Sequence, residues 1–316
     1  MPGHKRNSSL CLPPELWQDI TEIPGFDDLH RPTGLIAGIQ GLAAELYSAK
    51  KSFLLVNGST CGNLAAIRAL YRQFGGSELI IIGEPHRSVY HAAELCGLRP
   101  VTWESASDAK ICAVTSPSYE GEILDVAAIA RKCGTQGIAL HVDAAHGAHL
   151  GFHEYFPENP TRLNAATVVE SLHKTLPALG QTALLHVCSD AVDSAEIARQ
   201  LDIFETSSPS YLLMASAEHC LRLLKERSGE LFGAFSDRLR RFYGAFSDVL
   251  AVRQPSENTD PSRMVIYGKN APALLRANGF EPERVTDNGT ILITTICDED
   301  WVFDKLTDIF QKENLK

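Results

Sequence analysis

The chain has 316 residues, of which 44% are hydrophobic and 22% charged, and 29 Lys plus Arg against 39 Asp plus Glu give a net charge of −10. This composition is typical of a globular protein with a large core, and it excludes disordered and collagen-like chains. The acidic balance argues against a nucleic-acid partner, and no apolar run approaches the roughly 18 residues of a membrane-spanning helix.

Strand-like and helix-like segments alternate along the first two thirds of the chain. Short apolar runs predict strands or extended segments at 79–82, 99–103, 111–115, 138–142, 167–169 and 183–187. Segments with apolar residues at helical spacing predict helices at 61–74, 88–96 and 126–133. Strands that are apolar throughout, separated by helices, indicate an α/β fold with a parallel or mixed sheet covered on both faces.

The pattern changes after Pro209. Two long helices are predicted at 211–225 and 231–250, followed by a polar linker at 254–261. A small α+β unit is predicted from strands at 264–267 and 291–296 and helices at 271–278 and 301–310. We therefore predict a large domain (1–225, with an N-terminal arm 1–30), a connecting helix and linker (226–258) and a small C-terminal domain (259–316).

The cysteines and the N-terminus bear on the cellular compartment. Eight cysteines occur without a CxxC pair or zinc-finger spacing, which favours free thiols in a reducing cytoplasm. The stretch 1–5 lacks the apolar core of a signal peptide. His146 and His149 raise the question of a metal, but they lie in a glycine-rich stretch that need not be helical. We predict a cytoplasmic protein without a metal site.

Four local motifs contain residues suited to chemistry. The turn NGSTCGN at 57–63 leads into a helix, where free N–H groups bind phosphate, although Ser59 or Thr60 could simply cap the helix. Asp143 ends a buried strand, where α/β sheets contact ligands. Lys174 is either a surface charge or an imine-forming lysine, and His86 is either a helix cap or a stacking partner.

Taken together, these motifs favour one cofactor. An anion site, a carboxylate that keeps a ring nitrogen protonated and an amine that forms an imine are what pyridoxal phosphate requires. Their order along the chain is that of fold-type-I pyridoxal-phosphate enzymes.

The chain resembles the prokaryotic-type Orn/Lys/Arg decarboxylases, which have an aspartate-aminotransferase-like fold. The matching stretches are PGHK at 2–5, TEIPGFDDLHRPTG at 21–34, LVNGSTCGN at 55–63, HRSVYHAAELCG at 86–97, TSPSYEG at 115–121, VDAAHGAHLGF at 142–152, SLHKTLPALGQTALLH at 171–186 and TSSPSYLLMAS at 206–216. They are collinear and cover most of residues 1–225. The resemblance implies a mostly parallel sheet in the large domain.

The resemblance also implies residue roles. Lys174 corresponds to the Schiff-base lysine and Asp143 to the partner of the pyridine nitrogen. His86 stacks on one ring face, Ala145 packs on the other, and His173 lies next to the imine. The further cofactor-binding residues that it implies are Ser59, Thr60, Cys61, His146 and Ser171. Thr206 resembles a residue that reaches the phosphate of the neighbouring subunit, which implies a homodimer with its active site at the interface.

The activity that the resemblance implies is decarboxylation of Lys, Arg or Orn, a small-molecule amino acid substrate, to the amine. Lys174 or His173 would protonate the substrate Cα after carbon dioxide leaves. Two alternatives stay open. One is another reaction on the same cofactor, such as transamination, racemisation or β-elimination, since fold does not fix reaction type. The other is a non-catalytic subunit that binds the cofactor or a fuller paralogue.

The chain departs from the family pattern in three places. The connection at 104–110 is short, Ala144 stands where the family usually has Glu, and family members usually have residues before PGHK and continue beyond 316. A loop over the site and a pocket-covering tail are therefore expected to be reduced. The carboxylate that would bind a distal cation is not evident. Glu120 and the pair Asp27-Asp28 are the candidates, although their positions are more typical of surface charges.

Overall fold

The computed structural model describes residues 4, 5, 7, 19–247, 249, 251–287 and 289–312. Most of the predicted N-terminal arm, at 1–3, 6 and 8–18, and the predicted helix end at 250 lie outside these residues. The first part of the chain contains α1 (Leu35–Tyr47), β1 (Lys51–Leu55), α2 (Gly58–Phe74), β2 (Glu78–Ile82), α3 (Arg87–Cys96), β3 (Arg99–Val101), β4 (Ala109–Thr115), α4 (Val126–Thr135), β5 (Ala139–Asp143), β6 (Thr167–Ser171), α5 (Leu172–Thr175), β7 (Ala183–Val187) and α6 (Ser194–Phe204). The second part contains α7 (Tyr211–Gly244), β8 (Arg263–Ile266), α8 (Ala271–Ala277), β9 (Arg284–Thr286), β10 (Gly289–Ile293) and α9 (Asp300–Lys312).

Seven strands form the main sheet in the order β1-β7-β6-β5-β4-β2-β3. Only β7 runs against the other six, because it pairs antiparallel with both β1 and β6. Side chains on both faces are buried, with Val169 facing the cluster under α2 and Leu184 facing the cluster under α1 and α7. The predicted mixed, mostly parallel sheet is confirmed, and β1, α1 and α6 are additional elements.

A single helix replaces the two predicted after Pro209. Helix α7 runs for 34 residues without a break at Gly229. A glycine inside a helix costs about 1 kcal/mol relative to alanine. Burial of Leu224 before it and Phe232 after it offsets that cost. The division predicted at 225/226 falls inside this helix and stays a prediction.

The last strands form a separate three-stranded sheet in the order β8-β10-β9. Its inner face joins the core of α7 and α9, where Met264, Leu292 and Phe303 pack near Phe235 and Leu239. Strand β9 was not predicted. No helix in the described part of the chain is long and apolar enough to cross a membrane.

Candidate active site

The carboxyl ends of β4, β5 and β6 meet at one edge of the main sheet, where open α/β sheets place their ligands. A cavity of about 520 Å³ lies there. It is lined by Gly58, Ser59, Thr60, Glu84, Pro85, His86, Arg87, Thr115, Pro117, Tyr119, Asp143, Ala145, His146, His173, Lys174, Gln181 and Arg284. The structure therefore brings together eight of the predicted site residues: Ser59, Thr60, His86, Asp143, Ala145, His146, His173 and Lys174.

Lys174 follows β6 on the one-turn helix α5, and its amine lies 3.1 Å from His146 Nε2. Burial lowers the pKa of Lys174 below its ordinary 10.5, and the Arg263 guanidinium lowers it further. The Asp143 carboxylate acts in the opposite direction. A lysine with a lowered pKa has the neutral, nucleophilic amine that imine formation needs.

Asp143 is fully buried at the end of β5. It accepts hydrogen bonds from Asn63 Nδ2 at 2.8 Å and from the Ala145 N–H at 3.1 Å. Burial raises the pKa of Asp143, and these two donors oppose the rise. Each carboxylate oxygen accepts two hydrogen bonds, so Asp143 retains capacity for a further donor.

Asn63 links Asp143 to the neighbouring elements. Its Nδ2 also donates to Ser88 Oγ at 2.8 Å, and its Oδ1 lies 2.8 Å from His141 Nε2. His141 in turn bonds Thr167 at 2.9 Å. Asn63 was not singled out from the sequence, although it closes the matched stretch at 55–63.

His86 is the N-cap residue of α3, and its Nδ1 is 2.8 Å from Ser88 Oγ. Burial lowers the pKa of His86 below its ordinary 6.5. The cap is therefore what the structure shows, while the ring of His86 also lines the cavity and its stacking role stays a prediction. A neutral imidazole in this position is suited to stacking on an aromatic ring.

The start of α2 borders the cavity. Asn57 is its N-cap residue, and no side chain caps the helix. The simple alternative, a cap by Ser59 or Thr60, is therefore not what the structure contains. The Gly58 N–H is bonded to the Gln181 carbonyl at 2.8 Å. An uncapped N-terminus with two hydroxyls at a cavity wall is suited to binding phosphate.

Three predicted residues do not line the cavity. Cys61 turns its thiol to the buried Glu205, 3.1 Å away, so only its backbone can serve as a ligand. Ser171 is buried, and its hydroxyl has no hydrogen-bond partner among the described residues. Thr206 lies beside the start of α2, where its N–H is 3.4 Å from Asn57 Oδ1.

The carboxylates considered for a distal cation lie elsewhere. Asp27 accepts N–H groups at the start of α1, from Gly34 and Ile36 among others, and is a helix cap. Neither Asp28 nor Glu120 lines the cavity, whereas Glu84 does. The short connection at 104–110 also lies away from it, because Ser107 and Asp108 there bind Glu78.

The residues present fit a phosphorylated pyridine aldehyde. The cavity has an amine, a buried carboxylate with spare acceptor capacity, a flat imidazole and an uncapped helix start. By contrast, the described residues contain no group of three or more His, Cys, Asp or Glu side chains arranged to bind a metal.

Comparison with known proteins bears on the family of the chain. The family model for the Orn/Lys/Arg decarboxylase major domain matches residues 13–110 and 103–236. YaaO of Bacillus subtilis (strain 168) is 31% identical over 96% of this chain and 69% of its own length. The arginine decarboxylase of the same organism is 28% identical over 85% of this chain and 63% of its own.

Among solved structures, lysine decarboxylase A from Pseudomonas aeruginosa superposes with a TM-score of 0.75 at 15% identity. That match covers 93% of this chain and 53% of the other. The chain thus spans about two thirds of the two bacterial sequences and about half of this structure. The predicted aspartate-aminotransferase-like fold is confirmed by this likeness and by the strand order. The chain belongs to the Orn/Lys/Arg decarboxylase family.

Proposed function

We propose that this protein is a pyridoxal-phosphate-dependent decarboxylase of a basic amino acid, namely arginine, lysine or ornithine. One observation carries the proposal. The Lys174 amine, the buried Asp143 carboxylate and the uncapped start of α2 surround a single cavity of about 520 Å³. Family membership supports the reaction class, and the arginine and lysine decarboxylases among the similar proteins support a basic substrate.

Each residue has a role that follows from its surroundings. The Lys174 amine is the attachment point for the cofactor aldehyde, and the α2 N–H groups with Ser59 and Thr60 bind the phosphate. Asp143 would keep the pyridine nitrogen of a bound cofactor protonated, because a buried carboxylate is a strong acceptor for that N–H. The bound cofactor supplies an electron sink for the pair left when carbon dioxide departs. His86 and Ala145, which both line the cavity, would hold the cofactor ring.

His173 is positioned to deliver the proton that replaces the carboxylate. Its Nδ1 lies 2.9 Å from the Thr182 carbonyl and donates to it. This leaves Nε2 as the atom that exchanges a proton. Because His173 and Lys174 both line the cavity, either can protonate the substrate Cα.

We further propose a cytoplasmic homodimer. Thr206 supports the dimer, because this half-buried residue lies beside the start of α2 but does not line the cavity of its own subunit. Sedimentation will give the mass of the assembly. A Thr206→Ala variant that binds cofactor as tightly as the wild type would contradict a cross-subunit phosphate contact.

The function is tested by cofactor titration and a substrate screen. Pyridoxal phosphate should produce visible absorbance, and borohydride reduction followed by peptide mapping should place the adduct on Lys174. Carbon dioxide release should then be measured with arginine, lysine and ornithine. Keto acid or D-amino acid products would instead identify another reaction. Cofactor binding without turnover until a second polypeptide is added would identify a partner subunit, and absence of an adduct on Lys174 would refute the proposal.

A further inference from the structure

A buried arginine from the small sheet contacts the active-site lysine through a histidine. Arg263 lies on β8 and is 1% exposed, and its NH2 nitrogen is 2.6 Å from His146 Nδ1. The opposite ring nitrogen of His146, Nε2, is 3.1 Å from the Lys174 amine. Three side chains from separate parts of the chain thus form one continuous row.

The chemistry of the row allows one arrangement of protons. A guanidinium only donates hydrogen bonds, so His146 Nδ1 must accept. Neutral imidazole then carries its proton on Nε2, which donates to Lys174. An amine accepts a hydrogen bond only when it is unprotonated. The row is therefore satisfied with a neutral Lys174 and is broken when Lys174 gains a proton.

Close packing holds the row in place. The Tyr119 ring is 4.6 Å from the His146 ring, and the Arg284 guanidinium lies 5.1 Å over Tyr119. Gly121 has a φ of +83°, and a Cβ there would lie 2.6 Å from Arg263 Cβ and Cγ. Arg263 therefore fits only because Gly121 has no side chain.

We propose that Arg263 and His146 are positioning residues that hold Lys174 as a neutral amine, ready for covalent attachment before any cofactor binds. The arrangement deepens the proposed function, since it gives the small sheet a part in preparing the lysine. Only when β8 is packed against the main domain does Arg263 reach His146, so the reactive amine is prepared by the complete fold.

The charges around Lys174 show what Arg263 opposes. The titratable and charged groups that line the cavity with it or influence its charge are Glu84, His86, Arg87, Tyr119, Asp143, His146, His173, Arg263, Glu283 and Arg284. Asp143 and Glu283 favour the charged form of the lysine, whereas burial and Arg263 disfavour it. Asp260 Oδ2, 4.0 Å from Arg263 Nε, partly balances the guanidinium charge. Without Arg263, burial alone would oppose Asp143 and Glu283, the two carboxylates that favour the charged form of Lys174.

The test uses the cofactor-free full chain. Competitive acetylation with mass spectrometry gives the reactivity of Lys174 against pH, with the other lysines as internal references. Arg263→Met should raise the midpoint for Lys174 by about one pH unit, a tenfold loss of reactivity near neutrality. Arg263→Lys, which keeps a charged donor, should restore most of it. Arg276→Met is the matched control, because Arg276 pairs with Glu281 at the surface, and it should leave the profile unchanged.

A second measurement determines which ring nitrogen of His146 carries the proton. In ¹⁵N spectra of imidazole-labelled wild-type protein, His146 should carry its proton on Nε2, and Arg263→Met should shift it toward Nδ1. A wild-type His146 with the proton on Nδ1 would overturn the proposal, as would an unchanged Lys174 profile in a folded Arg263→Met protein. Neither readout depends on turnover, so failure of the decarboxylation screen would leave this inference standing.

Discussion

Two networks of polar side chains are buried against the main sheet, and they differ in how completely they are paired. In the first, Ser52 Oγ is 2.7 Å from His186 Nδ1, and His186 Nε2 is 3.2 Å from Glu170. Asn159 donates to the other oxygen of Glu170 at 2.7 Å. All four side chains are buried, and each has a partner.

The second network, around Lys174 and Arg263, is incompletely paired. The Lys174 amine faces a cavity, and two guanidinium nitrogens of Arg263 and the Ser171 hydroxyl have no hydrogen-bond partner among the described residues. Buried polar groups in folded proteins are nearly always paired, so these unpaired atoms are unusual.

The comparison shows why residue type alone does not identify a site. Ser52, His186 and Glu170 have the order of a hydrolytic triad, but Ser52 is 1% exposed and its hydroxyl is held inside the sheet. Lysine is usually a surface residue, yet Lys174 lines a cavity where burial lowers its pKa. The two networks differ in whether a side chain reaches a cavity and in whether their hydrogen bonds are complete.

Replacing Lys174 by Ala should produce the largest change and affect the incomplete network alone. Turnover should fall more than about a thousandfold, because the residue that attaches the cofactor is gone. Folding should not suffer, since a partly buried amine is removed. Activity assays and thermal melting test both parts, and a lower melting temperature would mean that the lysine also supports the fold.

Replacing Glu170 by Ala should affect the paired network instead. His186 and Asn159 would lose their acceptor inside the core, so the free energy of unfolding should fall by about 3–5 kcal/mol. Denaturant titration measures the loss, with Glu170→Gln as the conservative control. If both variants unfold like the wild type, the network contributes nothing to stability.

Asn63→Ala should have an intermediate effect, because Asn63 serves both structure and site. Leaving Asp143 and His141 short of partners should cost about 1–3 kcal/mol of stability. The pKa of Asp143 should rise further, since a donor to its carboxylate is lost. The loss of turnover should therefore be smallest at alkaline pH, where Asp143 is still ionised. Ser88→Ala, which removes only one neighbour of Asn63, should be milder on every measure.

The smallest effect is expected from Asp143→Asn in cofactor-free protein. Burial raises the pKa of Asp143 above its ordinary 3.8. From the ordinary value up to the raised value the folded chain binds more protons than the unfolded chain, so stability falls as pH rises through that range. The variant should therefore melt slightly above the wild type at neutral pH, with the gap closing toward acid. A variant that melts lower at neutral pH would contradict this assignment.

Much of the fold was predictable because apolar strands and amphipathic helices leave local patterns. The sequence did not indicate α1, which has glycines at 38 and 41 that weaken a helical pattern. Likewise, the break expected near Gly229 is absent because tertiary packing outweighs local propensity.

The site was predictable where its residues form contiguous motifs, as for Asp143 and Lys174. Arg263 and Asn63 were missed because their importance comes from contacts with residues more than 70 positions away. Nothing local in a strand residue such as Arg263 reveals that it will be buried against His146.

The uninterrupted helix α7 restricts how this protein can change in length. At 34 residues it extends about 51 Å, since each residue adds about 1.5 Å. One inserted residue near its middle would rotate everything beyond it by about 100° and turn Phe232 and Phe235 away from the core. We therefore expect insertions and deletions to be tolerated in surface loops but not within α7.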